Sequence, residues 1–283
     1  DVTRIDRDDR ITLDAAFSDE TRLLRVDLDF DEAAGGLVSG LLRMPGRPAL
    51  RLQVTGDAPL SEFEAQVALS SDGAQRLGGT VEIAAREGEG GTRFSTALEG
   101  DLRPLFAPEF HPFFGETAAL RLTGQRSADG GVTVEDMQLR SGGMEVTGTL
   151  ALAPDGWPER LALDGRIGGA GRLRLPVAAP VTHVASAELT ARYDAAEGDE
   201  WQATATLGGL ESGALAVGSA KLTGSGTISR GASEGITADI TFAADGLTHD
   251  DPALARAMGA TPRGRAEIAW QPGAPVAVDQ LDV

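Results

Sequence analysis

The sequence predicts a mainly β protein: an elongated, curled antiparallel sheet forming a groove, with one or two short helices. Three observations predict it. Apolar and polar residues alternate with a period of two along much of the chain, the pattern of strands with one dry and one wet face. Asp-Gly pairs punctuate that alternation and supply the positive φ angles of tight turns. Little helical periodicity lies between the strands, which favours antiparallel meanders over parallel crossover units.

The elements follow in order. Leu24, Val26, Leu28 and Phe30 alternate with Arg25, Asp27 and Asp29. Residues 33–44 read as a short helix stopped by Pro45-Gly46. Leu50, Leu52 and Val54 alternate with Arg51, Gln53 and Thr55; Phe63, Ala65, Val67 and Leu69 come next, then Val81 and Ile83. After an interruption come Leu120 and Leu122, then Met144 and Val146 running to Leu150 and Leu152. Leu161 with Leu163, and Leu173 with Leu175 and Val177, read as two further strands. Ile236, Ala238, Ile240 and Phe242 precede a helix over 250–258, which has an acidic cap, Pro252 in its first turn and Gly259 as a stop. Ile268 with Trp270, and Val276 with Val278, end the series. Roughly fifteen strands are expected from this periodicity. Turns are assigned to Asp72-Gly73, Asp129-Gly130, Asp155-Gly156, Asp164-Gly165 and Asp245-Gly246, and the glycines in general to turns.

One stretch fits neither pattern. Residues 102–115 (LRPLFAPEFHPFFG) hold three prolines with Phe106, Phe110, Phe113 and Phe114. They form either a plug over one end or edge of a sheet or a lip that touches lipid or a partner protein. The chain is read as one continuous β segment, 1–283, of a longer protein, with a subdivision near 101–117. The charged start, DVTRIDRDDR, reads as the middle of a protein, so a targeting element is expected outside this segment.

Composition narrows the function. The 43 acidic against 25 basic residues give a net charge of −18, which disfavours nucleic acid and anionic headgroups as partners of the outer surface. The absence of cysteine excludes thiolate metal sites, disulfides and cysteine nucleophiles. His111, His183 and His249 lie far apart, with no second ligand at metal spacing. Asp27, Asp29 and Asp31 begin like a calcium loop, but Glu32 stands where the loop needs glycine and Val38 where it needs glutamate. There is no nucleophile elbow, no phosphate-binding glycine loop and no dinucleotide fingerprint. No enzyme activity and no cofactor are expected.

Two stretches carry a resemblance. In residues 27–69, Glu32 with Gly35 and Gly36 precedes the short helix, and G-x-P-A-L-x-L-x-x-x-G-x-x-P-L follows over 46–60. In 115–167, L-A-P-D-G-W-P occupies 152–158. These resemble the central region of the TamB family, the inner-membrane-anchored subunit of the translocation and assembly module, within the AsmA-like, bridge-type lipid transfer class. The resemblance implies a periplasmic β-groove, tethered to the inner membrane by a segment missing from this chain. It would conduct phospholipid toward the outer membrane and support assembly and secretion of outer-membrane proteins. An Omp85-type outer-membrane partner would dock through regions outside this segment.

The apolar pattern supports the same expectation. Leu24, Val26, Leu28, Phe30, Leu50, Leu52, Val54, Val67, Leu69, Val81, Ile83, Leu120, Leu122, Val146, Leu161, Leu163, Ile236 and Ile240 are the candidate groove lining. A sixteen-carbon acyl chain in water costs about 12 kcal/mol, and a continuous dry trough removes that cost. The competing expectation is a structural β-sandwich or solenoid scaffold of adhesin type, with the same side chains packed into a filled core. A glycan-active β-domain with paired carboxylates ranks below both.

Overall fold

The computed structural model describes residues 2–3, 9–18, 22–59, 61–86, 88, 90–177, 179–231 and 234–282. Leu60, the end of the second motif of the first stretch, lies outside them. The chain is mainly β and antiparallel with few short helices, and it divides into two compact units.

The first unit spans 1–142 with 153–155. Its strands are β1 (Val2–Thr3), β2 (Arg10–Phe17), β3 (Leu23–Glu32), β4 (Leu50–Pro59), β5 (Glu62–Ser71), β6 (Ala74–Ala85), β7 (Thr92–Gly100), β8 (Ala118–Arg126) and β9 (Val132–Arg140). Each pairs antiparallel with the next. Helix α1 (Leu37–Leu41) joins β3 to β4. Between β7 and β8, two 3-10 turns (Arg103–Leu105, Pro108–Phe110) lead into α2 (His111–Phe114). The Pro/Phe-rich stretch therefore lies inside this unit.

The second unit spans 143–152 with 156–283. It holds β10 (Met144–Leu152), β11 (Pro158–Arg174), β12 (Thr182–Asp194), β13 (Glu200–Ser212), β14 (Leu215–Ser229), β15 (Gly235–Asp245), β16 (Thr248–His249), β17 (Arg263–Trp270) and β18 (Ala277–Asp282). The hydrogen-bonded order is β10 through β15, then β17 and β18, while β16 pairs with β14. Helix α3 (Pro252–Met258) precedes β17, and the Asp251 carboxylate accepts a hydrogen bond from the Ala253 N–H at 2.7 Å. Among the described residues the first and last strands of neither unit pair with each other, so neither closes into a barrel.

Three local expectations are corrected. Asp164-Gly165 is not a turn: both residues lie inside β11, where Gly165 pairs with Val146 and Leu189. Strand pairing on both sides overrides the local Asp-Gly preference. The two strands expected around Leu161 and Leu173 are one, β11, with a register break between Gly168 and Leu173. The run Gly168-Gly169-Ala170-Gly171 absorbs that break. Val177 lies beyond the strand and is 56% exposed.

Curl within a unit is visible where residues far apart in pairing order touch. Five strand steps separate β11 from β17, about 24 Å across a flat sheet at ~4.8 Å per step. Yet the rings of Trp157, just before β11, and Trp270, at the end of β17, lie 6.3 Å apart. Arg230, just after β14, also reaches Pro158 and Glu159 at the start of β11.

Candidate functional site: the apolar faces

Register decides which side chains share a face. In the first unit one row of cross-strand neighbours runs Leu13, Leu28, Val54, Val67, Gly79, Leu98, Leu120, Leu139. A parallel row runs Ile11, Phe30, Leu52, Leu69, Leu77. Because side chains alternate along a strand, Leu24, Val26, Leu50, Val81, Ile83 and Leu122 fall on the same face. In the second unit a row runs Gly148, Leu163, Ala191, Ala203, Gly224, Ile240, Ala266. Val146, Leu161 and Ile236 share its face. Every residue expected to line a groove thus belongs to one face of its unit; in the second unit Val184, Leu210 and Val217 alternate to the other side, and the partners Leu173 and Val184, with Val217, are buried there.

That face is apolar in composition, buried at Phe63, Ala65 and Tyr193 and half-buried over much of the rest. Leu28, Val54, Val67, Leu98, Leu120, Leu122 and Leu163 are only half-buried, although neighbours flank them on both sides. Leu189 and Leu222, on interior strands of the second unit, are 40% and 37% exposed. A side chain in a packed core loses nearly all contact with water.

Aromatic rings on this face lie over glycines of the adjacent strand. A Cβ built on Gly124 would meet Phe94 Cζ at 2.6 Å, and one on Gly264 would meet Phe242 Cζ at 2.5 Å. Phe63 covers Gly56 in the same way, and Trp201 covers Gly224 and Gly226. Three of these pairs are direct register partners: Phe94 with Gly124, Phe242 with Gly264, Trp201 with Gly226. These strand glycines receive rings; they do not serve turns.

Packing is complete only at particular places. In the first unit Met44, Leu50 and Leu105 form a buried cluster, with Phe30, Val38, Leu69, Leu102 and Phe106 packed against it. Phe106 stacks on Phe114 with centroids 3.9 Å apart, and Phe113, 6% exposed, meets Phe114 edge-on at 5.3 Å. Phe110 is half-buried. The Phe/Pro segment therefore folds back on the strand ends with most of its rings engaged in packing. Beneath α1, Glu32 is 1% exposed, and its carboxylate accepts hydrogen bonds from the N–H groups of Val38 (2.6 Å) and Ser39 (2.9 Å). Those are two donors that the helix start leaves without an internal partner.

The opposite face is polar and laced with ion pairs. Arg25–Asp57, Arg160–Asp194 and Arg166–Glu145 join directly opposite residues at 2.6, 3.0 and 2.6 Å. Arg51–Asp29 and Arg192–Asp164 are diagonal. The hydrogen bond from Arg51 holds the Asp29 carboxyl below its ordinary value. Arg103, bonded to Asp101 through its side chain and its N–H, lowers that carboxyl to about 2. Such exposed pairs contribute about 0–1 kcal/mol each; they mark register more than they hold the fold. The Asp27–Asp29–Asp31 series lies on extended strand β3. His111 Nε2 is 3.2 Å from the Phe106 carbonyl oxygen, and His249 Nδ1 accepts from the Asp251 N–H at 2.9 Å. Among the described residues no three His, Cys, Asp or Glu side chains are grouped to hold a metal ion, and no helix is long and apolar enough to cross a membrane.

Sequence reasoning missed much of the face: Ile11, Leu13 and Phe17 of β2, Phe94 and Leu98 of β7, Met137 and Leu139 of β9, and nearly all of β12 to β14. The alternation there runs through Ala, Gly and Thr. The class of protein these features define is an antiparallel β meander with a largely half-buried apolar face in each unit. No family model, curated protein or solved structure matches the chain.

Proposed function

We propose that this chain is a non-enzymatic groove segment of a TamB-like, bridge-type lipid transfer protein, which shields phospholipid acyl chains in the periplasm between the inner and outer membranes. The observation that carries the reading is the half-buried state of the apolar rows. Many of their interior members keep contact with solvent, and Phe94, Phe242 and Trp201 lie over glycines of the adjacent strand. A hydrocarbon chain laid along such a row leaves water at about 0.8 kcal/mol per methylene. Translocation along a continuous row needs no energy-consuming site. Inner-membrane anchoring, contact with an Omp85-type partner, and support of outer-membrane protein assembly and secretion belong to the same proposal, through regions outside this segment.

The test is direct. A photo-crosslinking residue at Val26 or Leu122 is expected to label phospholipid in cells, and one at the outward-facing Arg121 is not. Protein extracted in mild detergent is expected to carry phospholipid. Lipid-free protein with Val26 and Leu122 unlabelled would overturn the proposal in favour of a structural scaffold. The Met44–Leu50–Leu105 cluster, the one filled cluster of buried residues described, is the observation on that side.

A further inference from the structure

All three tryptophans and the only tyrosine of the chain lie at one end of the second unit's apolar face. Tyr193 and Trp201 are register partners on β12 and β13, Leu161 lies opposite Tyr193, and Ile236 lies opposite Trp270. At this end a half-open cavity of about 150 Å³ is bounded by Leu161, Ala191, Tyr193, Trp201, Ile228 and Ile236, with Pro158, Arg192 and Gln202 also beside it; its exposed surface is apolar. The Trp201 Nε1–H donates to the Thr237 carbonyl at 2.9 Å, so the indole's polar atom is satisfied by backbone and its ring plane is fixed. The Trp157–Trp270 contact draws β11 and β17 together at the same end.

We infer that this aromatic-walled cavity is a binding site for the methyl end of an unbranched hydrocarbon chain. Volume and chemistry together select that occupant. An apolar cavity of this size has room for a benzene-sized group, about six carbon atoms of a chain, and its open side leaves the rest of the chain free to extend. With no exposed polar atom in the lining, a charged or hydroxylated group would enter without a partner. Trp201 and Tyr193 supply the largest apolar contact area in that lining. A chain seated there has its polar end directed away from the aromatic wall, so the site orients its ligand as well as holding it. The inference rests on the proposed function for its ligand class and adds the place and direction of binding.

The three tryptophans make the site its own reporter, because the first unit has none. The experiment titrates the full chain with dodecanoate brominated either at its terminal carbon or at the carbon next to the carboxylate, and follows tryptophan emission. A separate fluorophore on Leu120→Cys reports binding in the first unit. The expected result is several-fold stronger quenching by the terminal bromine at equal occupancy. Ala191→Phe, which fills the cavity, is expected to remove that difference while far-UV circular dichroism stays unchanged. Shortening the terminally brominated acid is expected to weaken binding about fourfold per carbon. Equal quenching by the two isomers, or no quenching while the Leu120→Cys fluorophore responds, overturns the inference and leaves the groove reading standing. Terminal-selective quenching with a silent fluorophore supports the site and counts against the groove in the first unit. Silence of both probes overturns both.

Discussion

Placing a carboxylate on the apolar face separates an open trough from a filled core. Leu122 of β8 lies between Thr96 and Met137 and is half-buried. Full burial of a leucine contributes about 1.5–3 kcal/mol, so a half-buried one contributes about 1–1.5 kcal/mol. In an open trough the carboxylate of Leu122→Glu stays hydrated, and the substitution costs about 1–2 kcal/mol once the lost cross-strand contact is included. In a filled core it is an unpaired buried charge, whose cost far exceeds that and unfolds the unit. Leu105→Ala provides the scale: Leu105 is 4% exposed inside the cluster with Met44 and Leu50, and its truncation costs about 3 kcal/mol. Hydrogen exchange of the β7–β9 amides, read by mass spectrometry, gives the opening free energy of this region without assuming that the two units unfold together. Leu122→Glu is expected to be the milder of the two changes. Complete loss of protection in β7–β9 on Leu122→Glu, with Leu105→Ala still protected, would refute the open face.

Three further outcomes follow from particular contacts. Glu32→Ala leaves the buried N–H groups of Val38 and Ser39 without their carboxylate, a loss of about 2–4 kcal/mol, read as faster exchange across α1 than in β5. Gly124→Ala sets a methyl 2.4 Å from the Thr133 carbonyl oxygen and 2.6 Å from the Phe94 ring, and destabilises by about 1–3 kcal/mol; a neutral melting shift would refute the ring-over-glycine arrangement. Asp101 titrates at about 2 because Arg103 bonds its charged form, so its folded value lies below its unfolded one. Its contribution is present above the ordinary carboxylate range near pH 4 and fades as pH falls toward 2. Carbon-detected NMR titration of Arg103→Ala is expected to return Asp101 toward the ordinary carboxylate value.

The fold was legible wherever alternation used large side chains. Leu24 to Phe30, Leu50 to Val54 and Ile236 to Phe242 each declare a face by themselves, and all lie in strands. In β12 to β14 the large residues of the same face, Leu189, Tyr193, Trp201, Leu207 and Leu222, are spaced by Ala187, Ala191, Ala203, Ala205 and Gly224, small residues whose hydropathy barely contrasts with the threonines beside them. Only pairing with β11 and β15 shows which side they face. The Asp250–Met258 helix was legible because its cap, Pro252 and Gly259 are each local devices. The break inside β11 was not, since a bulge is set by the partner strand. Nor was the burial of Glu32, because a glutamate beside two glycines reads as a solvated loop until the chain brings it under α1.

The same small residues that hid the second unit's strands bear on what its face can hold. Replacing each alanine and glycine of the row Ala191, Ala203, Gly224, Ala266 by leucine would add bulk along the whole row. Phe242 and Trp201 lie over Gly264 and Gly226, so the glycine is as necessary to the arrangement as the ring. A filled core needs the reverse, large residues standing up to meet one another. The face of the first unit, richer in Leu, Val and Ile, reaches full packing in the cluster around Leu50. Small residues beneath and rings laid flat preserve apolar surface without consuming volume. The proposed lipid path has that requirement, and a scaffold with a filled core lacks it.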